Sequence, residues 1–170
     1  MRPPLRIAVF ISGTGSNLQA LINAQHMGHL NIEIVTVICN NPDAGGIRIA
    51  QQALLPIHII HHRDFDNRTD FEHQIMQTLA RYKIDLIVLA GFMRILTPTF
   101  IHQFYGKMIN LHPALLPKFR GLNTHQRALE AKEQFHGSTV HFVSPLLDAG
   151  PIISQARYRI LPNDGPLQLE

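Results

Sequence analysis

Short runs of continuously apolar residues, separated by stretches with helical spacing, constrain this chain more than any other feature. Past their first two residues, Leu5 to Ile11, Ile32 to Cys39 and Ile84 to Ala90 are apolar on both faces, Thr36 apart. A strand with one wet face would alternate, so these runs predict strands covered on both sides, as in a parallel sheet. Between them, Leu18 to Gln25, Ala44 to Leu54 and Arg68 to Tyr82 predict helices, the last through Phe71, Ile75 and Leu79 at four-residue spacing. Shorter strands are expected over Ile57 to Ile60 and Met108 to Leu111, and further helices over Pro98 to Phe104 and Thr124 to Lys132. Alternation of this kind gives an α/β fold with a mostly parallel, twisted sheet and helices on both faces. Two last strands, Ser138 to Val143 and Ile152 to Ile160, are candidates for an antiparallel edge, since the loop between them contains Gly150 and Pro151.

In such a sheet ligands bind beyond the carboxyl ends of the strands, near the point where strand order reverses. Three segments fall at such ends. Gly13-Thr14-Gly15-Ser16-Asn17 follows the first strand and opens a helix. Its glycines let backbone approach an anion, and Ser16 and Asn17 add side-chain donors at the positive helix end. Leu18 stands where a dinucleotide fingerprint would place its third glycine, and Asn40 and Asn41, not an acid, close the second strand. A phosphate monoester therefore fits better than a dinucleotide; the alternative is a plain tight turn and helix cap. The second segment, Ala90 to Leu96, is an apolar loop with one charge, Arg94, suited either to wall a flat heterocycle or to pack as a buried loop.

The third segment is Met108-Ile109-Asn110-Leu111-His112-Pro113. Apolar and polar residues alternate, so Asn110 and His112 leave by one face of a strand that Pro113 brings to a stop. Asp148 follows 36 residues after His112, within Leu146-Leu147-Asp148-Ala149-Gly150-Pro151. An amide, an imidazole and a carboxylate together can stabilise an oxyanion, move a proton and orient the imidazole. The other reading is a core His and Asn that bond only to backbone.

At 170 residues the chain is long enough for one domain with a real core. Apolar residues make up 45% and charged residues 16%, yet no apolar run approaches the roughly 18 residues of a membrane span. The N-terminal apolar run is too short for a signal peptide and leads into a glycine turn. Cys39 is the only cysteine, which excludes an internal disulfide and fits a reducing cytoplasm. The formal charge of +3 suits a small anionic ligand, and the basic residues are scattered with no run that would track a nucleic acid. His58, His61 and His62 lie in strand and turn without a second ligand cluster, so they predict structure and no metal site. His141 is expected in the core, and His125 either caps its helix or meets a substrate.

SGTGSN after the first strand, GFMRIL, NLHPALLPKFRG, and HGSTVHFV followed by LDAGPII together resemble the phosphoribosylglycinamide formyltransferases, folate-dependent enzymes of purine synthesis. The resemblance is colinear from about Arg6 onward. Asn-x-His and Leu-Asp-x-Gly-Pro are common to a wider formyltransferase group, whereas SGTGSN and GFMRIL point to the glycinamide ribonucleotide branch. The resemblance implies a Rossmann-like α/β fold and transfer of the formyl group of 10-formyltetrahydrofolate to the amine of glycinamide ribonucleotide. Asn110, His112 and Asp148 match its catalytic trio, and Gly15, Ser16 and Asn17 its phosphate loop. Arg68, Met93, Arg94, Ile95 and Leu96 match folate contacts, as does Asn110, and Ser144, Pro145, Leu146, Leu147 and Asp148 match the loop around the pterin. It implies small-molecule substrates, no metal, no nucleic-acid or membrane partner, and a cytoplasmic monomer or homodimer. Thr14 departs from the Asn of some members, and Asn123 from the His of others. The resemblance also implies a cis peptide at Leu116-Pro117.

Two rival functions remain at this point: transfer of the same formyl group to water, a sugar nucleotide or a tRNA, and a non-catalytic nucleotide-binding domain. Asp164-Gly165-Pro166 predicts a helix start with only Leu167 to Glu170 after it. The sequence thus reads as a single formyltransferase domain that ends inside an element which, by resemblance, continues in the family and contacts the ribonucleotide.

Overall fold

A computed structural model describes residues 2–169, which fall into two compact units divided between Met108 and Ile109. The first unit contains β1 (Leu5–Ile11), α1 (Ser16–His26), β2 (Ile32–Cys39), α2 (Gly46–Gln52) and β3 (Ile57–Ile59). It continues through α3 (Arg68–Leu79), β4 (Leu86–Leu89) and α4 (Pro98–Gln103). β1 lies between β2 and β4, β3 flanks β2, and every one of these pairings is parallel. The chain therefore runs outward from β1 to β3 and then returns to the other side of β1 with β4. The carboxyl ends of β1 and β4 flank the point where strand order reverses.

The apolar runs make this core because each strand must bury both faces. Ile7, Ala8, Val9, Phe10 and Ile11 are at most 1% exposed, and Val37, Ile38, Cys39 and Ile87 are fully buried. The Phe10 ring meets Phe92 edge-on at 5.2 Å and lies 6.4 Å from Phe100, so the loop after β4 is packed onto β1. Burying one such side chain stabilises the fold by roughly 1.5–3 kcal/mol. Helix starts are set by local chemistry. Asn67 caps α3 by accepting the Asp70 N–H, and Thr97 caps α4 by accepting the Phe100 N–H, with Pro98 next. Glu72, buried on α3, accepts both the N–H and the hydroxyl of Thr97, tying the two helices together.

The second unit contains all but the first residue of β5 (Met108–His112), then α5 (Thr124–Glu130), β6 (Phe135–Phe142) and β7 (Ile152–Arg159). β6 is antiparallel to β5 on one side and to β7 on the other. In the β5–β6 register Asn110 faces His141 and His112 faces Thr139. Thr139 is fully buried and fastens the loop that leaves β5. Its hydroxyl donates to the Ala114 carbonyl at 2.6 Å and accepts the Leu116 N–H at 3.1 Å and the Gln155 amide at 2.9 Å. The Leu116–Pro117 bond that follows is cis. Parallel pairings in the first unit and antiparallel pairings in the second give the Rossmann-like α/β class, mostly parallel, with the antiparallel strands expected after β5.

The boundaries differ from expectation chiefly at element ends. α2 runs only from Gly46 to Gln52, because Ala44 and Gly45 form the turn that precedes it. β6 begins at Phe135, earlier than expected, since Gly137 admits the Ala156 carbonyl where a Cβ would lie 1.9 Å from the oxygen. Near the other end, the expected helix start is a single 3₁₀ turn, Pro166–Gln168, with Gly165 at its cap and Pro166 first. Leu169 beyond it is buried, and its carbonyl accepts the Tyr158 hydroxyl at 2.5 Å. No helix among the described residues is long and apolar enough to cross a membrane.

Candidate active site

Asn110 and His112 stand on β5 with a single residue between them, and Asp148 lies on the loop between β6 and β7. Asp148 Oδ1 accepts from Asn110 Nδ2 at 3.3 Å, and Asp148 Oδ2 faces His112 Nδ1 at 3.4 Å and accepts the Gly121 N–H at 2.9 Å. One carboxylate thus holds both polar residues of the strand. His112 Nε2 is 2.9 Å from the Phe119 carbonyl. A carbonyl can only accept, so Nε2 carries a proton, and Nδ1 is the nitrogen aimed at the carboxylate. Both ring nitrogens face acceptors. The side chains of His112 and Asp148 are 6% and 8% exposed.

The backbone at these partners is unusual. Asp148 has φ 46° and Phe119 φ 55°, both in the left-handed region that side-chain-bearing residues avoid. Such conformations persist only where surrounding contacts over-determine them, and they concentrate at functional sites. Gly150 closes the Asp148 loop against β6, where a Cβ would lie 1.8 Å from the Phe142 carbonyl oxygen. Burial pushes the Asp148 carboxyl up, but hydrogen bonding from His141 and the Gly121 N–H, with the adjoining imidazoles, outweighs it. The net result holds Asp148 below the usual carboxylate range.

His141 belongs to this cluster as well as to the core where the sequence put it. It is 2% exposed, donates from Nδ1 to the Phe142 carbonyl at 2.9 Å, and sets Nε2 3.2 Å from Asn110 Nδ2 and 3.6 Å from Asp148 Oδ1. The signal that could have found it is register: in an antiparallel pair, His141 is the residue opposite Asn110. His125 neither caps α5 nor stands apart; its Nδ1 is 2.8 Å from Nε2 of the buried His136. Ser144 Oγ donates to the Leu146 carbonyl at 3.0 Å, while Pro145, Leu146 and Leu147 are exposed on the same loop.

In the first unit, the Gly13 to Asn17 loop lies at the carboxyl end of β1. Gly15 caps α1 at φ 84° and makes no side-chain cap bond, so the first N–H groups of the helix have no such acceptor. A Cβ on Gly15 would lie 2.5 Å from Gly46 Cα, so glycine here serves both the left-handed turn and the contact with α2. Ser16 is exposed and Asn17 half-buried. After β4, Met93 and Ile95 are exposed while Phe92 and Leu96 are buried, so the loop shows alternate apolar side chains to solvent. Arg94 and Arg68 share an open cleft with His62, Phe65, Asp66, Asn67 and Phe71, and its two guanidinium groups outnumber the one carboxylate, which suits an anionic ligand. His58 bonds to the Tyr82 hydroxyl and His61 faces Asp64. No group of three or more potential metal-ligating side chains occurs among the described residues.

A family model described as formyl transferase matches residues 5–170. The chain belongs to the formyl transferase family. Among its relatives is the phosphoribosylglycinamide formyltransferase of Haemophilus influenzae, 47% identical over 165 residues, which span 97% of this chain and 78% of that protein. The human trifunctional purine biosynthetic protein adenosine-3 is 46% identical over 150 residues, 88% of this chain but 15% of that longer protein. A solved phosphoribosylglycinamide formyltransferase from Coxiella burnetii superposes with a TM-score of 0.92 at 55% identity, covering 98% of this chain and 78% of that one. The formyl transferase assignment thus rests on sequence and fold together.

Proposed function

We propose that this formyl transferase moves the formyl group of 10-formyltetrahydrofolate onto the primary amine of glycinamide ribonucleotide, a step of de novo purine biosynthesis. The observation that carries this reading is the Asp148 carboxylate facing both the Asn110 amide and the His112 imidazole. The amine attacks the formyl carbon and the carbonyl oxygen becomes an oxyanion. Asn110 and His112 are its donors: Nε2 of His112 gives up its bond to the Phe119 carbonyl, and the Asn110 amide one of its bonds to Asp148 or His141, each donor being worth roughly 3 kcal/mol of transition-state stabilisation. Asp148 orients the ring and balances its charge. The bond from the formyl carbon to the folate nitrogen then breaks, and the proton lost by the amine passes to that nitrogen through His112 or through water held by Asp148. Formyl leaves one nitrogen and appears on another with no net redox change.

Gly15, Ser16 and Asn17 are assigned to the ribonucleotide phosphate. Arg68, Met93, Arg94, Ile95 and Leu96, and the residues from Ser144 to Asp148, are assigned to the folate. Both substrates are small molecules, and the reading includes no metal, no nucleic-acid partner and a cytoplasmic site of action. The test is direct. Purified protein given both substrates should yield formylated ribonucleotide and tetrahydrofolate in equal amounts. Formate released at the same rate without the ribonucleotide would make the chain a hydrolase, and no turnover with either acceptor would defeat the assignment.

A further inference from the structure

Ser12 is a residue that the mechanism above leaves unused. It directly follows β1, is 7% exposed, and roots the Gly13 to Asn17 loop. Its hydroxyl donates to Asn40 Oδ1 at 2.5 Å and accepts the Met93 N–H at 2.7 Å. Its carbonyl accepts Asn41 Nδ2 at 3.2 Å. One small residue therefore joins the carboxyl ends of three parallel strands: β1, β2 through Asn40, and β4 through Met93. A hydroxyl has one hydrogen, and Asn40 takes it, so the lone pair offered to Met93 is fixed in direction. Asn40 is itself 2% exposed, and its Nδ2 lies 3.3 Å from Nδ1 of His62, a ring that lines the Arg68 and Arg94 cleft. On the far side, the Gly46 N–H donates to the Gly13 carbonyl at 3.1 Å, which anchors the other flank of the loop.

Resting on the ligand assignments above, we propose that Ser12 is a positioning residue for formyl transfer. Its hydroxyl sets the spacing between the loop assigned to the acceptor's phosphate and the Met93 to Leu96 loop assigned to the folate. Each loop has its own contacts and keeps its ligand without Ser12. What is lost is their mutual placement. Reacting atoms must be held about 3–3.5 Å apart, and a misplacement near 1 Å costs on the order of 10²-fold in rate. The deficit therefore belongs in kcat and not in binding.

The experiment compares wild type, Ser12→Ala, Ser12→Thr and Ser12→Cys. Steady-state kinetics are run with both substrates, and calorimetry uses ribose 5-phosphate and a non-reacting folate analogue separately. Ser12→Ala is expected to lower kcat at least ~10-fold with both KM values within about threefold of wild type, and Ser12→Thr, which keeps the hydroxyl, to restore most of it. An unchanged kcat in Ser12→Ala, a loss confined to one KM, or no rescue by Ser12→Thr would overturn the proposal. Should Ser12→Ala not fold, Ser12→Cys decides: a kcat below wild type with normal KM values supports the role, and a normal kcat removes it. Wild-type protein that binds neither probe alone refutes the ligand assignments themselves, a result distinct from intact binding with an indifferent Ser12.

Discussion

His141 faces Asn110 across the β5–β6 pairing, with its Nε2 3.2 Å from the Asn110 amide nitrogen. The Nδ1 bond from His141 to the Phe142 carbonyl fixes the ring with Nε2 toward both the Asn110 amide and the Asp148 carboxylate, so the ring helps to place the amide that β5 presents. Asn110→Ala is expected to lower turnover by at least ~10², and His141→Ala by less, about tenfold, because it acts through Asn110. Circular dichroism and kcat measured on the same preparations separate loss of chemistry from loss of fold; equal turnover in wild type and Asn110→Ala would remove Asn110 from the mechanism.

Asp148 gives a pH dependence with a definite sign. Its folded pKa is depressed, so it stabilises the protein above the ordinary carboxylate pKa and loses that contribution as pH falls through the lower folded value. Against Asp148→Asn, the advantage of wild type in Tm should be present near pH 6 and should shrink on acidification below roughly pH 4. A Tm difference that stays constant from pH 6 to pH 3 would show that folding does not lower the Asp148 pKa.

His136 predicts a second slope at higher pH. Burial, then the neighbouring His125, keep its ring below the usual histidine range, so the folded state holds it neutral while the unfolded chain takes up a proton. Stability should be full above roughly pH 6.5 and decline as pH falls from there toward the lower folded value. Thermal melts of His136→Gln should show a flatter pH dependence in that window than wild type.

Thr139 tests the loop that leaves β5. Thr139→Val keeps the volume but removes a hydroxyl that serves three partners, leaving the Ala114 carbonyl and the Leu116 N–H to find others. A loss of about 1–3 kcal/mol is expected in urea unfolding. Thr139→Ser should recover part of it, and two indistinguishable unfolding curves would show the hydroxyl to be dispensable.

At the phosphate loop, the choice of substitution matters. Gly15→Val is the obvious probe from sequence, yet the left-handed φ and the contact with Gly46 make it a lesion of the fold. Ser16→Ala and Asn17→Ala remove side-chain donors without touching the backbone. Each is expected to weaken ribose 5-phosphate binding roughly ten- to a hundredfold, about the worth of one hydrogen bond to an anion, while folate-analogue affinity stays level. Parallel losses for both ligands in calorimetry would argue against the assignment.

The strands were legible because double burial leaves little room for polar residues: β1, β2 and β4 all lie within the apolar runs. Helix ends were less so, since the residues that stop α2 and α3 act through turns that periodicity does not record. The alternation in β5 singled out Asn110 and His112, and Asp148 was legible as an acid in a turn. The residues that complete the cluster carry no local signal. Phe119 and Gly121 contribute only a carbonyl and an N–H. His141 is separated from Asn110 by 31 positions and meets it only through register. Ser12 looked like the first letter of a glycine turn, and nothing in its own segment indicates Asn40 or the Met93 amide.

Antiparallel register makes this chemistry discrete. A slip of one residue between β5 and β6 would turn one strand's side chains to the opposite face. A slip of two would preserve the faces but set Asn110 against Thr139 or Val143 in place of His141. No graded series of strand alignments connects a working enzyme to an altered one. A single insertion or deletion inside either strand rewrites every cross-strand neighbour beyond it.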